Sequence, residues 1–303
     1  MCDRHEARAS GACRGVVRRI GQATGDFVAG DGIGDGAASW LESSSSMSST
    51  ILSGFLASSA AGVCTGLGAL PVFLRRQWGE TSRMLMLATA AGVMLGATVF
   101  SLVLPAMEIA TAREGDPRRA VLVVGVGVLL GALGIHLLHA LSPHEHFTKG
   151  REGPAARKLG RHGLFVVAIT LHNFPEGASV GVAWGAGDST GASVATGIGL
   201  QNLPEGLAVA AALLADGASR SRAFWIATLT GLAEPIGGLC GALFATLGAA
   251  LLPFGLAAAG GAMLFVVSGE VIPETHREHR ERRATFALVG GFVSMMFVDA
   301  WLG

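Results

Sequence analysis

Charge is scarce in this chain. Of 303 residues only 15% are Asp, Glu, Lys or Arg, where a soluble domain carries about 25%. An ordinary water-soluble globule is therefore excluded. Basic and acidic residues number 22 each and the formal net charge is zero, so there is no bulk basic surface for nucleic acid. Cysteine is rare too. Cys2 and Cys13 lie in a polar stretch, Cys64 and Cys240 in apolar ones, and none forms a CxxC pair. Neither a disulfide framework nor a thiolate zinc site is indicated, and the last two read as small apolar packing residues. Tyrosine is absent, whereas glycine occurs 45 times. Such enrichment suits transmembrane helices, whose backbones approach through small residues.

Half of the residues are apolar and mean hydropathy is +0.52. Residues 1–48 are polar, with Ser43 to Ser46 in a row, and read as a disordered extracytoplasmic tail. No apolar run of signal-peptide length follows its basic residues, so no cleaved leader is expected. Residues 49–303 read as one all-α membrane domain of eight segments: 50–74, 84–107, 120–142, 164–184, 193–215, 223–249, 254–275 and 284–302. Each is about 20 residues long, enough for a helix to span roughly 30 Å of hydrocarbon. Lysine and arginine crowd one set of loops, from Arg75 and Arg76 through Lys149, Lys158, Arg220 and Arg277 to Arg283. The opposite loops hold only Arg113, Arg118 and Arg119. The positive-inside bias puts the first set in the cytoplasm and both termini outside.

Basic residues are also missing where acids are buried. Segment four contains His172-Asn173-Phe174-Pro175-Glu176-Gly177 and segment five Gln201-Asn202-Leu203-Pro204-Glu205-Gly206, one pattern repeated in antiparallel helices. Within each copy the first and fifth residues share a helix face. His172 with Glu176, and Gln201 with Glu205, can thus converge on one ion. Pro175 and Pro204 each disrupt the preceding turn and free a carbonyl, and broken helices at mid-depth recur in ion transporters. Glu234 lies mid-way along segment six. Three unpaired carboxylates at that depth would each cost several kcal/mol, and no Lys or Arg accompanies them in these spans. A bound cation or protons must neutralise them. Imidazole favours zinc, iron, nickel or copper over magnesium and calcium, and the lack of thiolates suits an exchangeable site.

These residues resemble the ZIP (Zrt/Irt-like protein) family of divalent metal transporters. The paired motif carries the resemblance, together with Pro273-Glu274-Thr275-His276 at the end of segment seven. It implies an eight-helix bundle with a central metal site between helices four and five, uptake toward the cytoplasm across the cytoplasmic membrane, elevator-like alternating access, and a homodimer. It implies zinc as cargo (with Cd2+, Fe2+, Mn2+ or Co2+ open) and no prosthetic group. By position, His172, Glu176, Gln201 and Glu205 would form a first metal site. Asn173, Asn202 and Glu234 would join a second, with Glu176 and Glu205 bridging. Some relatives have aspartate where this chain has Asn202, and histidine where Gly269 precedes Glu270; the first departure weakens the second site and the second the inner exit. Met94, Ser101 and Glu108 are candidates for the outer pathway, and Glu270, Glu274 and His276 for the inner one. His136 and His139 face that exit or pack. His144, Glu145, His146 and His162 gather metal or are merely solvated. Asp299 is deep enough in segment eight to need a partner. A metal-selective channel stays open beside the carrier. An intramembrane metalloenzyme would need a motif such as HExxH, which is missing here.

Overall fold

The computed structural model describes residues 33–75, 78–142, 144–146, 150–152, 161–276 and 281–302. The chain divides at Met47/Ser48 into two units, and every side-chain contact discussed below lies in the second. Among the described residues eight long helices follow one another: α1 (Ile33–Ala69), α2 (Glu80–Glu114), α3 (Pro117–Leu141), α4 (Arg161–Ala186), α5 (Asp188–Ala215), α6 (Arg220–Ala245), α7 (Leu252–Thr275) and α8 (Glu281–Leu302). A short hairpin pairing His144–His146 with Gly150–Glu152 lies between α3 and α4. The fold is thus all-helical in substance. Among the described residues, seven helices are long and apolar enough to cross a membrane. The other is α4, whose middle is occupied by His172, Asn173, Pro175 and Glu176.

Three features depart from the sequence reading. The first helix begins at Ile33, well before the apolar stretch does. Helices α4 and α5 run unbroken through Pro175 and Pro204; in a packed bundle, neighbouring turns and helices hold the backbone around a proline. The break falls instead in α6, at Gly231 and Leu232. There Gly62 of α1 comes so close that a Cβ on Gly231 would stand 2.5 Å from its carbonyl oxygen. The second half of α6 starts at Ala233, so Glu234 and Pro235 occupy a first turn. Proline's missing N–H is no loss there, and the helix N-terminus favours the carboxylate.

Two other prolines have a different effect. Ahead of Pro105, α2 widens into π-helix over Ala97–Val103, and ahead of Pro273, α7 does so over Val267–Val271. A widened turn relieves the clash and the lost hydrogen bond that proline imposes. Segments two and seven share a Met-Leu to Pro pattern, and now a π turn as well.

Glycine contacts sort the helices into groups. In α4, a Cβ on Gly177 or Gly181 would strike the α6 backbone, at Glu234 and Gly238; Gly237 and Gly241 of α6 meet the α4 backbone in return. Helix α1 approaches α5 in the same way, at Gly68 against Leu203 and Gly206 against Thr65. Elsewhere Gly92 and Gly291 join α2 to α8, and Gly131 and Gly261 join α3 to α7. Between α1/α4/α5/α6 and α2/α3/α7/α8 the glycines meet side chains, as Gly197 meets Met295 and Gly255 meets Phe244. Backbone-to-backbone seams therefore join α1, α4, α5 and α6 to one another, α2 to α8 and α3 to α7; side chains fill the seams between these groups, including that of α2 with α7, where Gly260 meets Val103 and Leu102. Along the outside, α3 and α8 turn apolar side chains outward, including Leu129 and Trp301.

Candidate metal site

A one-residue turn aligns the two motifs. Gly187, with φ of +137°, separates the end of α4 at Ala186 from the start of α5 at Asp188. That backbone angle suits only glycine, and it folds the two helices into a tight hairpin. The α4–α6 glycine seam then lays Glu234 beside Glu176. Glu176 and Glu234 are fully buried, as are Asn173 and Gln201; Asn202 and Glu205 are nearly so. Glu176 lies within electrostatic reach of both Glu205 and Glu234, with Gln201 beside it.

The oxygens of this cluster are largely unpartnered. Both Glu176 oxygens, Oε1 of Gln201, Oε1 of Glu205, Oε2 of Glu234 and Oδ1 of Asn173 are buried and accept no hydrogen bond of normal geometry among the described residues. Buried polar atoms are nearly always paired, and an orphaned carboxylate is the most costly exception. No Lys or Arg occurs between Arg161 and Arg220, or between Arg222 and Arg277. The donor set of carboxylate and amide oxygens flanked by an imidazole fits a divalent transition ion.

One part of the cluster is hydrogen-bonded. Asn202 Nδ2 donates to Glu234 Oε1 and to the Ala61 carbonyl, both at 2.8 Å, and Gln201 Nε2 donates to Asn202 Oδ1 at 2.7 Å. Thr65 Oγ1 of α1 donates to Glu234 Oε1 at 3.4 Å. Thr65 was not foreseen from sequence.

His172 looks two ways. It stands within electrostatic reach of Glu205, while its Nε2 meets Oε2 of Glu270 from the π turn of α7. The other oxygen of Glu270 is 2.7 Å from His139 Nδ1 on α3. Side-chain exposure is 7% for His139, 12% for His172 and 6% for Glu270. The three ligand atoms lie within 4.8 Å of one another, close enough to share an ion. His139 is thus buried inside the bundle, packed against Glu270 and the His172 ring. His136 is exposed, its ring 5.7 Å from that of Phe265.

The remaining candidates scatter. Ser101, in the π turn of α2, donates to Asp299 Oδ1 at 2.6 Å, and Ser193 of α5 donates to the same oxygen at 2.9 Å. Asp299 thus has its partners, and Ser193 is a residue the sequence did not flag. Met94 is buried in the apolar core and Glu108 is exposed. His276 is hydrogen-bonded to Thr285 Oγ1 at 3.1 Å, fastening the end of α7 to α8; Glu274 is half-buried on the same turn. The side chains of His144, Glu145, His146 and His162 lie outside the described residues.

Comparison with known proteins identifies the family. The ZIP Zinc transporter family profile matches residues 136–299, which include every member of the buried cluster except those from α1. The chain is 50% identical to zinc transporter GufA of Myxococcus xanthus over 251 residues, covering 82% of this chain and 99% of that one. It is 43% identical over 249 residues to zinc transporter ZIPB of Bordetella bronchiseptica, covering 82% and 81%. Human zinc transporter ZIP11 is 32% identical over 301 aligned residues, covering 72% and 87%. On the strength of the profile and these relatives, the chain belongs to the ZIP zinc transporter family.

Proposed function

We propose that this protein is a secondary transporter that carries divalent transition metal ions, zinc foremost, across the cytoplasmic membrane toward the cytoplasm. All eight helices span the bilayer in this reading, α4 included, because its polar residues face the bundle and not lipid. The basic loops lie inside and both termini outside. The carrying observation is the nest of buried, unpartnered oxygens on Glu176, Gln201 and Glu205, with no lysine or arginine in the flanking spans to offset it. An ion bound there satisfies what the protein leaves open. The names of the relatives, all zinc transporters, agree.

The path follows from which helices hold what. Glu176, Gln201, Asn202, Glu205 and Glu234 all ride on α4, α5 and α6, which the glycine seams lock to α1. His139 and Glu270 belong to the other set, near the end that bears the basic loops. Movement of the first set along the side-chain seam would carry a bound ion as cargo, in the manner of an elevator. His172 sits at the seam and reaches a ligand on each side, so it suits transfer to the inner exit. No step requires a reaction to be catalysed. A passive channel would need an open file of sites, whereas the described cluster is enclosed by packed helices.

The test is uptake of zinc and cadmium into liposomes holding the purified protein. Glu176→Ala and Glu205→Ala are each expected to abolish saturable uptake. Wild-type rates in both would end the proposal.

A further inference from the structure

We infer that one acyl chain of a bilayer phospholipid seats in an apolar cleft between α3/α7 and α4/α6, and that this lipid tail steadies the seam between the two helix sets. The inference rests on the protein spanning a membrane, not on which ion it carries.

The shape of the cleft points to the occupant. Its volume is about 430 Å³, within the range of ligand pockets. Helix α4 lines it from Phe174 to Val182, and α7 from Phe254 to Ala262. Each stretch covers two turns, roughly 12 Å along the helix. The two stretches run side by side, since a Cβ on Gly255 would stand 3.0 Å from Val182 Cγ2. The cleft is therefore long and follows the helices, as a hydrocarbon tail does.

Its chemistry narrows the choice further. The lining is aliphatic and aromatic, with Ile135 of α3 and Phe244 of α6 among its members, and no charged or amide side chain contributes to it. Water needs about two to four polar partners, and a cation needs donor atoms. A lipid tail needs neither, being as apolar as leucine. Lipid can also reach the cleft. Leu138 of α3 and Cys240 of α6 line it and are exposed, so it opens toward the bilayer. A tail that enters restores dispersion contacts that an empty cleft forfeits.

The place of the cleft gives the tail a consequence. Phe174 and Pro175 lie on the cleft, and they belong to the motif that carries Glu176. A tail held between α3/α7 and α4/α6 touches both helix sets and fits their present register. It therefore favours that register, and it must shift or leave when α4 and α6 move.

The experiment places the purified full chain in liposomes doped with a phosphatidylcholine that bears a diazirine on one acyl chain. After illumination, labelled residues are located by mass spectrometry. Ile135 and Val182 are 5% and 2% exposed, so label there reports a tail inside the cleft. Phe297 is 60% exposed and reports the surrounding bilayer. Label is expected at both kinds of site. Ala259→Phe, which fills the cleft from α7, should lose the cleft label and keep that at Phe297. A second arm needs no change in the core. With Cys2, Cys13 and Cys64 replaced by serine, Cys240 is joined in detergent to a methyl or a dodecyl thiol, and the protein is then reconstituted. The tethered dodecyl tail should displace the lipid label and slow zinc uptake several-fold; the methyl group should do neither. An unlabelled cleft in the wild type, or cleft label that survives both Ala259→Phe and the dodecyl tail, overturns the occupant. Equal uptake by the methyl and dodecyl forms overturns its hold on the seam. Each of these results leaves the transport reading standing, and the labelling reads the same whether or not the protein carries zinc.

Discussion

His172 and Glu270 meet across the seam between the two helix sets, imidazole Nε2 against carboxylate Oε2. The contact ties a residue of the first motif to a π turn on α7. Glu270 also holds His139 Nδ1 at 2.7 Å. Because His172 lies within reach of Glu205 as well, the imidazole links the two candidate ion positions.

Glu270 is therefore expected to matter for movement more than for binding. Glu270→Ala removes a group that His172 and His139 share, yet leaves Glu176, Gln201 and Glu205 untouched. Cadmium affinity of the Glu176/Gln201/Glu205 site is expected to change by no more than a few-fold. Zinc uptake should slow by roughly 10–100-fold, the usual range for losing a group that orients a metal ligand. Parallel dialysis and liposome uptake separate the two effects. Unchanged uptake would remove Glu270 from the path.

Asp299 makes the second polar bridge over the seam. It accepts from Ser101 of α2 and from Ser193 of α5, and Ser193 belongs to the α1/α4/α5/α6 set. Hydrogen bonds to a charged group contribute about 1.5–3 kcal/mol, so Asp299→Ala should shift the balance of conformations by tenfold or more. Gly197 and Met295 touch across the same seam. With cysteines at those two positions, in a background lacking native cysteines, cross-linking by a short bismaleimide should fall when Asp299→Ala is added. An equal yield would show that the bridge does not set the balance.

Much of this was legible because membrane physics leaves few choices. Long apolar runs must be helices, and acids inside them must be neutralised, so Glu176, Glu205 and Glu234 could be named from the sequence alone. Helix boundaries were blurred where polar residues continue a helix past its apolar stretch, as at Ile33–Met47. The break in α6 was missed because proline draws attention, while the cause lies at Gly231, in the close approach of another helix. His139 and Ser193 could be placed only once distant helices were packed. A histidine three residues from another on α3 carries no local sign of Glu270 on α7. Asn202 was visible as a departure from aspartate, but its hydrogen bonds to Ala61 of α1 and Glu234 of α6 could be read only once those helices were packed around α5.

The last prediction concerns what brings the acids together. A Cβ on Gly181 would fall 2.7 Å from the backbone nitrogen of Ala242 and closer still to the Gly238 carbonyl. Backbone cannot yield as a flexible side chain does, so Gly181→Ala must push α4 away from α6. Overpacking of this kind costs about 1–3 kcal/mol. Gly134 on α3 provides the contrast, since nothing lies within 4 Å of its added Cβ. There the substitution should be neutral or stabilise by up to about 1 kcal/mol, because alanine favours helix over glycine. Thermal unfolding in detergent should therefore drop for Gly181→Ala and hold or rise for Gly134→Ala. The effect should also reach the site. Gly177 and Gly181 are one turn apart on the face that lays Glu176 beside Glu234, so widening the gap loosens the oxygen cluster. Cadmium affinity should fall in Gly181→Ala even among molecules that remain folded, and stay at the wild-type value in Gly134→Ala. Equal stability and equal affinity for the two variants would mean that the glycine seam does not hold the ligands in place.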